Sequence, residues 1–384
     1  MAYNTPSGLL ESDLMKILHA GNMANLAYTS VKQLRKDGFD VELLMEKNPP
    51  KGSNPLLFDP TLENRYPKWI HLFNKSKSSW KINVIKKMRN KEYDLIHAYV
   101  EFPIFAYLSR RTFIANTQGS DFRELAFSTS VRGFLLRRSY RKAKAVLFFQ
   151  PDHLPLFSKL KLNNGIFFPP SWDTSFFTPK EFSRDEFGDN FIIFHPANLE
   201  WRLKGNEILI NGFAKFVKDK PNSILIIVDR GIDSKKTHDL ITQLNIENNV
   251  KFIPGPLNST ELIRYYNSAD VIADQFVLGA LGSIGWETFA CAKPLLAYIN
   301  ETQYDQVYGE PPPLANASIP SLVSQQLHKL LDNKFRKELG TKSRSWITKY
   351  HSPSLFSQKI IKLYHAVLND EPIDQIRQML SVDK

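Results

Sequence analysis

Arg202 and Lys204 stand one residue apart, directly before Gly205 and a helical pattern that begins at Asn206. They follow the strand-like run Phe191 to Phe194, so both cations are expected at the carboxyl end of a strand, where open α/β sheets bind their ligands. About 70 residues later comes Asp274-Gln275, then the glycine-spaced stretch Gly279 to Gly282, then Ser283 to Glu287 at the start of a second helical pattern. Gly279 and Gly282 permit close backbone approach, and the unpaired N–H groups at a helix start attract an anion. Glu287, one turn into that helix, is placed to accept hydrogen bonds from sugar hydroxyls. Two cations facing such a helix start could neutralise a departing diphosphate without a metal. Taken singly, each element has a plainer reading. A glycine-rich turn often serves only to reverse the chain, and an Arg-x-Lys pair often only meets water.

The elements that must carry these residues alternate along the chain. Met15 to Gly21, a helical stretch marked by Leu26, Val31 and Leu34, and Phe39 to Leu44 follow one another at strand-helix-strand spacing. Leu95 to Ala98, Thr112 to Ala115 and Ala145 to Phe149 are continuous apolar runs, the pattern of strands buried on both faces of a parallel sheet. A Pro- and Phe-rich connection from Phe167 to Pro179 precedes a second series. Its expected strands are Phe191 to Phe194, Ile224 to Val228, Val250 to Ile253, Val271 to Ala273 and Pro294 to Tyr298. Its expected helices are 206–217, 238–244, 261–267 and 284–292. Two such series predict an α/β protein of two Rossmann-like, doubly wound domains, at residues 15–180 and 181–351. The 384 residues, 42% hydrophobic, suffice for a core in each. Ser352-Pro353 opens a last amphipathic helix over 352–368, expected to pack back on the first domain.

Taken in order, these pieces resemble the family 4 glycosyltransferases of the GT-B fold. The resemblance rests on Lys204-Gly205, on Ala269-Asp270, on Gly282 to Glu287 with Ala290 to Pro294, and on Asp94 to Ala98. It continues in Gly119-Ser120-Asp121, similar to that family's "HGSD" loop, and in Pro170 through Asp173 to Phe177 and Pro179. It implies two domains facing a cleft and a sugar transferred from a nucleotide-diphosphate sugar with retention of configuration. No cofactor and no essential metal are implied. On the donor side it implies Arg202, Lys204, Gly205, Gly279, Gly282, Ser283 and Glu287. On the acceptor side it implies Gly21, Asn22 and His97, with a glycan, lipid-linked or small-molecule acceptor. Two positions depart from the pattern. Gly279 stands where the family carries the first glutamate of its E-x7-E motif, so Asp274 and Gln275 are the candidates nearest the sugar. Gln118 replaces the histidine before Gly119; it can hydrogen-bond a sugar, with Asp121 beside it, but cannot titrate. These departures leave open a catalytically silent sugar- or lipid-binding relative, as well as a sugar-nucleotide epimerase.

Other chemistries find less support. No two aspartates are spaced D-x-D, and the nine histidines show no ligand spacing. The single cysteine, Cys291, lies in an Ala-Cys-Ala context that suits packing, and one cysteine allows no internal disulfide. His19 and His97, at expected strand ends, could touch an acceptor or serve structure. The net charge of +11 is uneven: residues 1–180 hold 27 Lys+Arg against 15 Asp+Glu, and the remainder 23 against 24. The first half is therefore expected to meet an anionic partner, or simply to be a solvated basic surface. The stretch Val131 to Lys142 reads as a helix with Val131, Phe134, Leu135 and Tyr140 on one stripe and Arg132, Arg137, Arg138 and Arg141 beside it. Such a helix could lie on anionic lipid or pack its stripe on the sheet. Nucleic acid is disfavoured, because no reader motif accompanies the charge. Met1 to Asp13 is polar without an apolar leader core, and no run approaches membrane-spanning length. The expected location is the cytoplasm, with peripheral contact at the inner membrane face.

Overall fold

A computed structural model of the protein describes residues 15–184 and 186–381; the leaderless reading of Met1 to Asp13 lies outside them. The described residues form two compact units, 15–171 with 353–381, and 172–352 without residue 185. The segment 172–180, assigned to the first domain by the sequence reading, therefore groups with the second unit.

Unit 1 is built on seven parallel strands: β1 (Ile17–Ala20), β2 (Val41–Glu46), β3 (Ile70–Phe73), β4 (Leu95–Tyr99), β5 (Phe113–Asn116), β6 (Val146–Phe148) and β7 (Gly165–Phe167). Their order is β3-β2-β1-β4-β5-β6-β7, so the winding reverses between β1 and β4. Register places Ile17 beside Val41 and Leu95, and His19 beside His97. β1 and β4 are buried throughout, which explains their unbroken apolar runs. After β1 the chain turns at Gly21 with φ +90°. A Cβ there would lie 2.6 Å from the Phe102 ring, so the turn requires glycine. The Pro353–Leu368 helix lies in this unit, where Phe356, Ile360, Leu363, Tyr364 and Val367 join the core formed by Ala27, Tyr28, Val31 and the strands.

The Val131–Lys142 helix does form, capped by Ser130, whose hydroxyl accepts the Gly133 amide. Its buried residues are Gly133, Leu136, Ser139 and Tyr140, not the whole stripe read from sequence. Gly133 allows the close approach, since a Cβ would meet the Leu125 carbonyl at 2.6 Å. Val131 and Phe134, read as part of one apolar stripe with Tyr140, stay 75% and 55% exposed.

Unit 2 has six parallel strands: β8 (Phe191–His195), β9 (Ser223–Asp229), β10 (Val250–Pro254), β11 (Val271–Ala273), β12 (Leu295–Ala297) and β13 (Ala315–Asn316). The order is β10-β9-β8-β11-β12-β13, and the reversal falls between β8 and β11. The core below them holds Phe213, Phe216, Leu225, Ile227 and Val323. A reversal of this kind parts the loops that leave the two central strands and opens a crevice at their carboxyl ends. Here those loops are 196–205 and 274–282, the two segments singled out for chemistry.

Candidate active site

The loop after β8 ends in a single helical turn, Trp201–Lys204, stopped by Gly205 in the left-handed region at φ +63°. A Cβ on Gly205 would come within 2.8 Å of Val277 Cγ2, so glycine is needed for both conformation and space. The two loops are then joined. The Phe276 amide donates to the Lys204 carbonyl at 2.8 Å, and Lys204 Nζ donates to Gln275 Oε1 at 2.9 Å. The Gln275 amide nitrogen donates in turn to the Ala280 carbonyl. Gly279 turns at φ +69° with its carbonyl accepting the Asn300 amide at 2.9 Å, and Tyr304 accepts the Leu281 amide at 2.7 Å. The loop is thereby pinned up to Gly282, which caps the Ser283–Ala290 helix without a side-chain oxygen. Its first-turn N–H groups obtain no capping partner from that residue, and Ser283 is exposed beside them.

Asp274 is fully buried at the base of this loop, and neither carboxylate oxygen makes a hydrogen bond. Burial raises its pKa; the Lys204 ammonium, and the Gly282 amide lying just outside hydrogen-bonding geometry, pull it back. Glu287 is also buried and accepts the Tyr266 hydroxyl at 2.5 Å. Burial pushes its pKa up to about 8; the Tyr266 bond and the Arg230 charge oppose that rise, and the Asp274 charge adds to it. His195, at the end of β8, donates from Nδ1 to the Ala273 carbonyl at 2.9 Å and accepts Asn206 Nδ2 at Nε2 at 2.8 Å. Burial lowers its pKa to about 4, so it stands neutral in this one tautomer. Asn206 Oδ1 accepts the Glu200 amide, anchoring the loop that carries the cations.

Lys204, Gly205, Asp274, Gln275, Gly279 and Gly282 thus form one connected constellation, with Arg202 exposed on the adjoining turn and Ser283 and Glu287 on the following helix. His195, Tyr266 and Arg230 were not singled out from the sequence. Only the end of a strand pattern at His195 and Asp229-Arg230 could have pointed to two of them. Among the described residues no group of three or more His, Cys, Asp or Glu could hold a metal ion. Cys291 is buried, and its thiol pKa is raised to about 12 chiefly by burial, which suits packing.

The remaining candidates lie in unit 1. Gln118 follows β5; its side chain is buried and neither amide atom has a partner. Asp121, read as a catalytic candidate, is engaged locally instead: it accepts the Gln118 amide (3.1 Å), the Gly119 amide (2.6 Å) and the Tyr140 hydroxyl (3.0 Å). This carboxylate therefore holds the turn that presents Gln118. Asn22 is likewise engaged, donating to Asn25 Oδ1 and the Ser53 carbonyl and accepting the Tyr28 amide. His97 is buried with His19, Tyr99 and Tyr364; its Nδ1 meets the Tyr364 hydroxyl at 2.9 Å and its Nε2 has no partner.

The raised pKa of Glu287 has a measurable consequence. A carboxyl held above its ordinary value near 4.5 contributes stability that is complete below that value and is lost as pH rises through about 8. Glu287→Gln keeps an acceptor for Tyr266 but carries no charge. Thermal unfolding of Glu287→Gln should match the parent near pH 4.5 and exceed it at pH 8.5, by on the order of a few kcal/mol. Parallel pH profiles for the two proteins would contradict the assignment of a buried, largely protonated Glu287.

The site just described falls inside a segment that resembles a known sequence family. Residues 177–310 match the family Glycosyl transferases group 1. The group 1 segment contains both loops, Arg202 to Gly205 and Asp274 to Glu287, while unit 1 lies outside it. The chain is 30% identical over 144 residues to D-inositol 3-phosphate glycosyltransferase of Corynebacterium jeikeium (strain K411). That match spans 34% of each protein, about a third of the relative's length. Among solved structures, HepE of Anabaena in complex with UDP and glucose superposes with a TM-score of 0.72 at 16% identity, covering 92% of this chain and 100% of that one. Sucrose-phosphate synthase from Thermosynechococcus elongatus gives 0.68 at 14% identity, covering 92% and 99%. The fold is GT-B, with two Rossmann-like units of which the second carries the group 1 segment.

Proposed function

We propose that the protein is a retaining, metal-independent glycosyltransferase that takes a nucleotide-diphosphate sugar on unit 2 and an acceptor on unit 1. The observation that carries this reading is the junction of Lys204 with Gln275, on the loop that leads into the Ser283–Ala290 helix, whose start has no side-chain cap. There two cations and a row of N–H groups can stabilise the charge on a departing diphosphate. Glu287 would receive the ribose hydroxyls, and buried Asp274 with Gln275 would face the sugar. Gln118, with an unpaired amide, would bind a hydroxyl without titrating. The acceptor hydroxyl attacks the anomeric carbon as the bond to the diphosphate breaks, on the same face, and its proton passes to the leaving phosphate oxygen. HepE has been solved with UDP-glucose, which supports a nucleotide sugar as the donor class. A thermal-shift panel of UDP, GDP and ADP and their sugars tests the assignment; one nucleotide should raise the melting temperature selectively. Absence of any shift in the folded protein would sink it. Binding without donor hydrolysis or transfer would favour the silent relative, a reading that Gly279, lacking any side chain at the usual glutamate position, makes specific.

The acceptor would be a glycan, a lipid-linked molecule or a small molecule, met by a cytoplasmic protein resting on an anionic membrane. Among the described residues no helix is long and apolar enough to cross a membrane. Val131 and Phe134 are exposed on a helix that also shows Arg138, Arg141 and Lys142 to solvent, and Phe127 beside it is 41% exposed. Between residues 75 and 142 there are 15 Lys+Arg against 5 Asp+Glu, so nearly all the excess charge accompanies this apolar patch. Apolar side chains inserted among lipid headgroups, ringed by cations, suit an anionic bilayer surface. The protein should sediment with phosphatidylglycerol vesicles and not with phosphatidylcholine vesicles, and Val131→Ser/Phe134→Ser should lose about tenfold in affinity. Equal binding by the double variant would contradict this surface.

A further inference from the structure

A second recess, unconnected with the group 1 segment, lies in unit 1 at the carboxyl ends of β2 and β3. It encloses about 420 Å³ between Leu44 and Lys47 of the first, Phe73 and Asn74 of the second, and the face of the Trp80–Arg89 helix marked by Trp80, Asn83 and Lys87. Three lysines, Lys47, Lys77 and Lys87, line it together with His71, and no carboxylate does. The neighbouring acidic groups are already committed, Glu92 lying 3.7 Å from Lys87 and 3.3 Å from Lys16. Glu42 accepts His71 at 2.6 Å as well as Tyr93, with Lys16 at 3.1 Å and Lys87 at 3.7 Å, and Glu46 is paired with Lys75 at 2.6 Å. Hydrogen bonds from Tyr93, His71 and Lys16 outweigh burial and hold Glu42 ionised, near pKa 2. Lys47 and Lys77 have no acidic partner within ion-pairing distance among the described residues. Lys87 is paired with Glu42 and Glu92, so the excess positive charge of the recess comes from Lys47 and Lys77, set inside concave walls that concentrate anions.

Its other walls suit a polyol ring. Trp80 is half-buried and lies on Phe73 with ring centres 5.5 Å apart, so the indole is fixed. Asn74 uses its oxygen on the Ser76 amide and hydroxyl, and Asn83 uses its nitrogen on Ser79, which leaves one amide a donor and the other an acceptor. A rigid aromatic face with amides of both senses binds a ring of hydroxyls, and the lysines bind phosphate through charge-assisted hydrogen bonds. The recess also adjoins the Gly21 turn. The Gly21 amide donates to the Leu44 carbonyl at 2.9 Å, and Phe102, which abuts Gly21, lies 5.7 Å from Phe73.

We infer that this recess binds the phosphate and ring of a phosphorylated polyol, either free or as a lipid headgroup, as part of the acceptor. The inference rests on the placement of the acceptor on unit 1 and is separable from the donor assignment on unit 2. Calorimetric titration with glucose 6-phosphate and inositol 1-phosphate, each against its unphosphorylated parent, tests it directly. At least one phosphorylated probe should bind about tenfold tighter than its parent, and Lys47→Gln/Lys77→Gln should abolish that gain. Vesicles bearing phosphatidylinositol 4-phosphate form a second arm. A gain confined to the vesicles, and lost in the same variant, assigns the headgroup source; a gain in the soluble probes assigns the free one. The thermal shift induced by the nucleotide that the panel selects, read in parallel, shows that the variant is folded and reports on unit 2 alone. Equal binding of phosphorylated and parent compounds in both arms, or a gain that survives Lys47→Gln/Lys77→Gln, would overturn the inference even with the nucleotide-induced shift intact.

Discussion

Arg202→Ala/Lys204→Ala is expected to lose the nucleotide-induced thermal shift and to lower turnover of the nucleotide sugar by two to three orders of magnitude, about 3–4 kcal/mol of transition-state stabilisation. Lys204 does two things that alanine cannot. Its ammonium lies 2.9 Å from Gln275 Oε1, tying the cation-bearing loop to the glycine loop. Its charge also counters the burial that raises the pKa of Asp274. Without it, Asp274 moves further toward the protonated form and Gln275 Oε1 loses the Lys204 donor, leaving the side chain held only by the Ala280 carbonyl. Both changes fall on the donor-side constellation, so the loss should appear in binding and in turnover together. Lys204→Arg provides a control: it keeps the charge and should recover part of the affinity, whereas a role confined to packing would not distinguish arginine from methionine. Wild-type donor affinity in the double variant would remove the donor-site assignment.

The second large effect falls on stability. Gly231 follows β9 with φ +130°, and a Cβ there would lie 2.3 Å from the Leu199 carbonyl oxygen and 2.6 Å from its nitrogen. Those are backbone atoms, held by two hydrogen bonds: the Leu199 amide to the Arg230 carbonyl at 2.8 Å and the Asp233 amide to the Leu199 carbonyl at 3.0 Å. Gly231→Ala must therefore adopt an unfavourable backbone conformation and also displace a hydrogen-bonded neighbour. Strain of about 1–3 kcal/mol and overpacking of about 1–3 kcal/mol combine to roughly 2–6 kcal/mol. For a unit of this size that lowers the melting temperature on the order of 10 °C. Leu199 leads directly into the Trp201–Lys204 turn, so the nucleotide-induced shift should shrink as well. Gly38 separates the two causes: its φ is +94°, yet no atom lies within 4 Å of its Cβ position. Gly38→Ala should cost about 1 kcal/mol, and equal effects at the two positions would show that conformation alone, not the Leu199 contact, makes Gly231 necessary.

Central strands and edge strands differed in how far they could be read. β1, β4, β8 and β11 are buried on both faces, so their apolar runs mark them before any folding is considered. β3, β7 and β13, which were missed, all lie at sheet edges. β3 buries only its two end residues, Ile70 and Phe73, with Leu72 exposed between them, and the other two strands have only three and two residues. Too little of each is buried to leave a pattern. The Trp80–Arg89 helix was missed for a related reason: only Val84 and Met88 are buried on it, and the rest of its surface is polar and basic. The Val131–Lys142 helix shows the converse, because its periodicity announced an apolar stripe without saying which residues would find a partner.

The GT-B architecture came from the resemblance of the motifs, taken in order, to a known family; the residues by themselves determined the two alternating strand-helix series, the two loops that carry Arg202, Lys204 and Asp274 to Glu287, and the location of the excess positive charge. These follow from residue types at short spacing, where the physics of strands, turns and helix ends is local. Only the tertiary structure decided what each of those residues meets. Lys204 and Gln275 are 71 positions apart, and they touch because the strand order reverses between β8 and β11. Tyr266 reaches Glu287 from another helix, and Tyr140 engages Asp121 from the helix that follows its loop. The fields that shift a carboxyl, the close approach that demands glycine at position 231 and the recess beneath Trp80 all arise between segments distant in the chain. Periodicity within one segment carries no record of them.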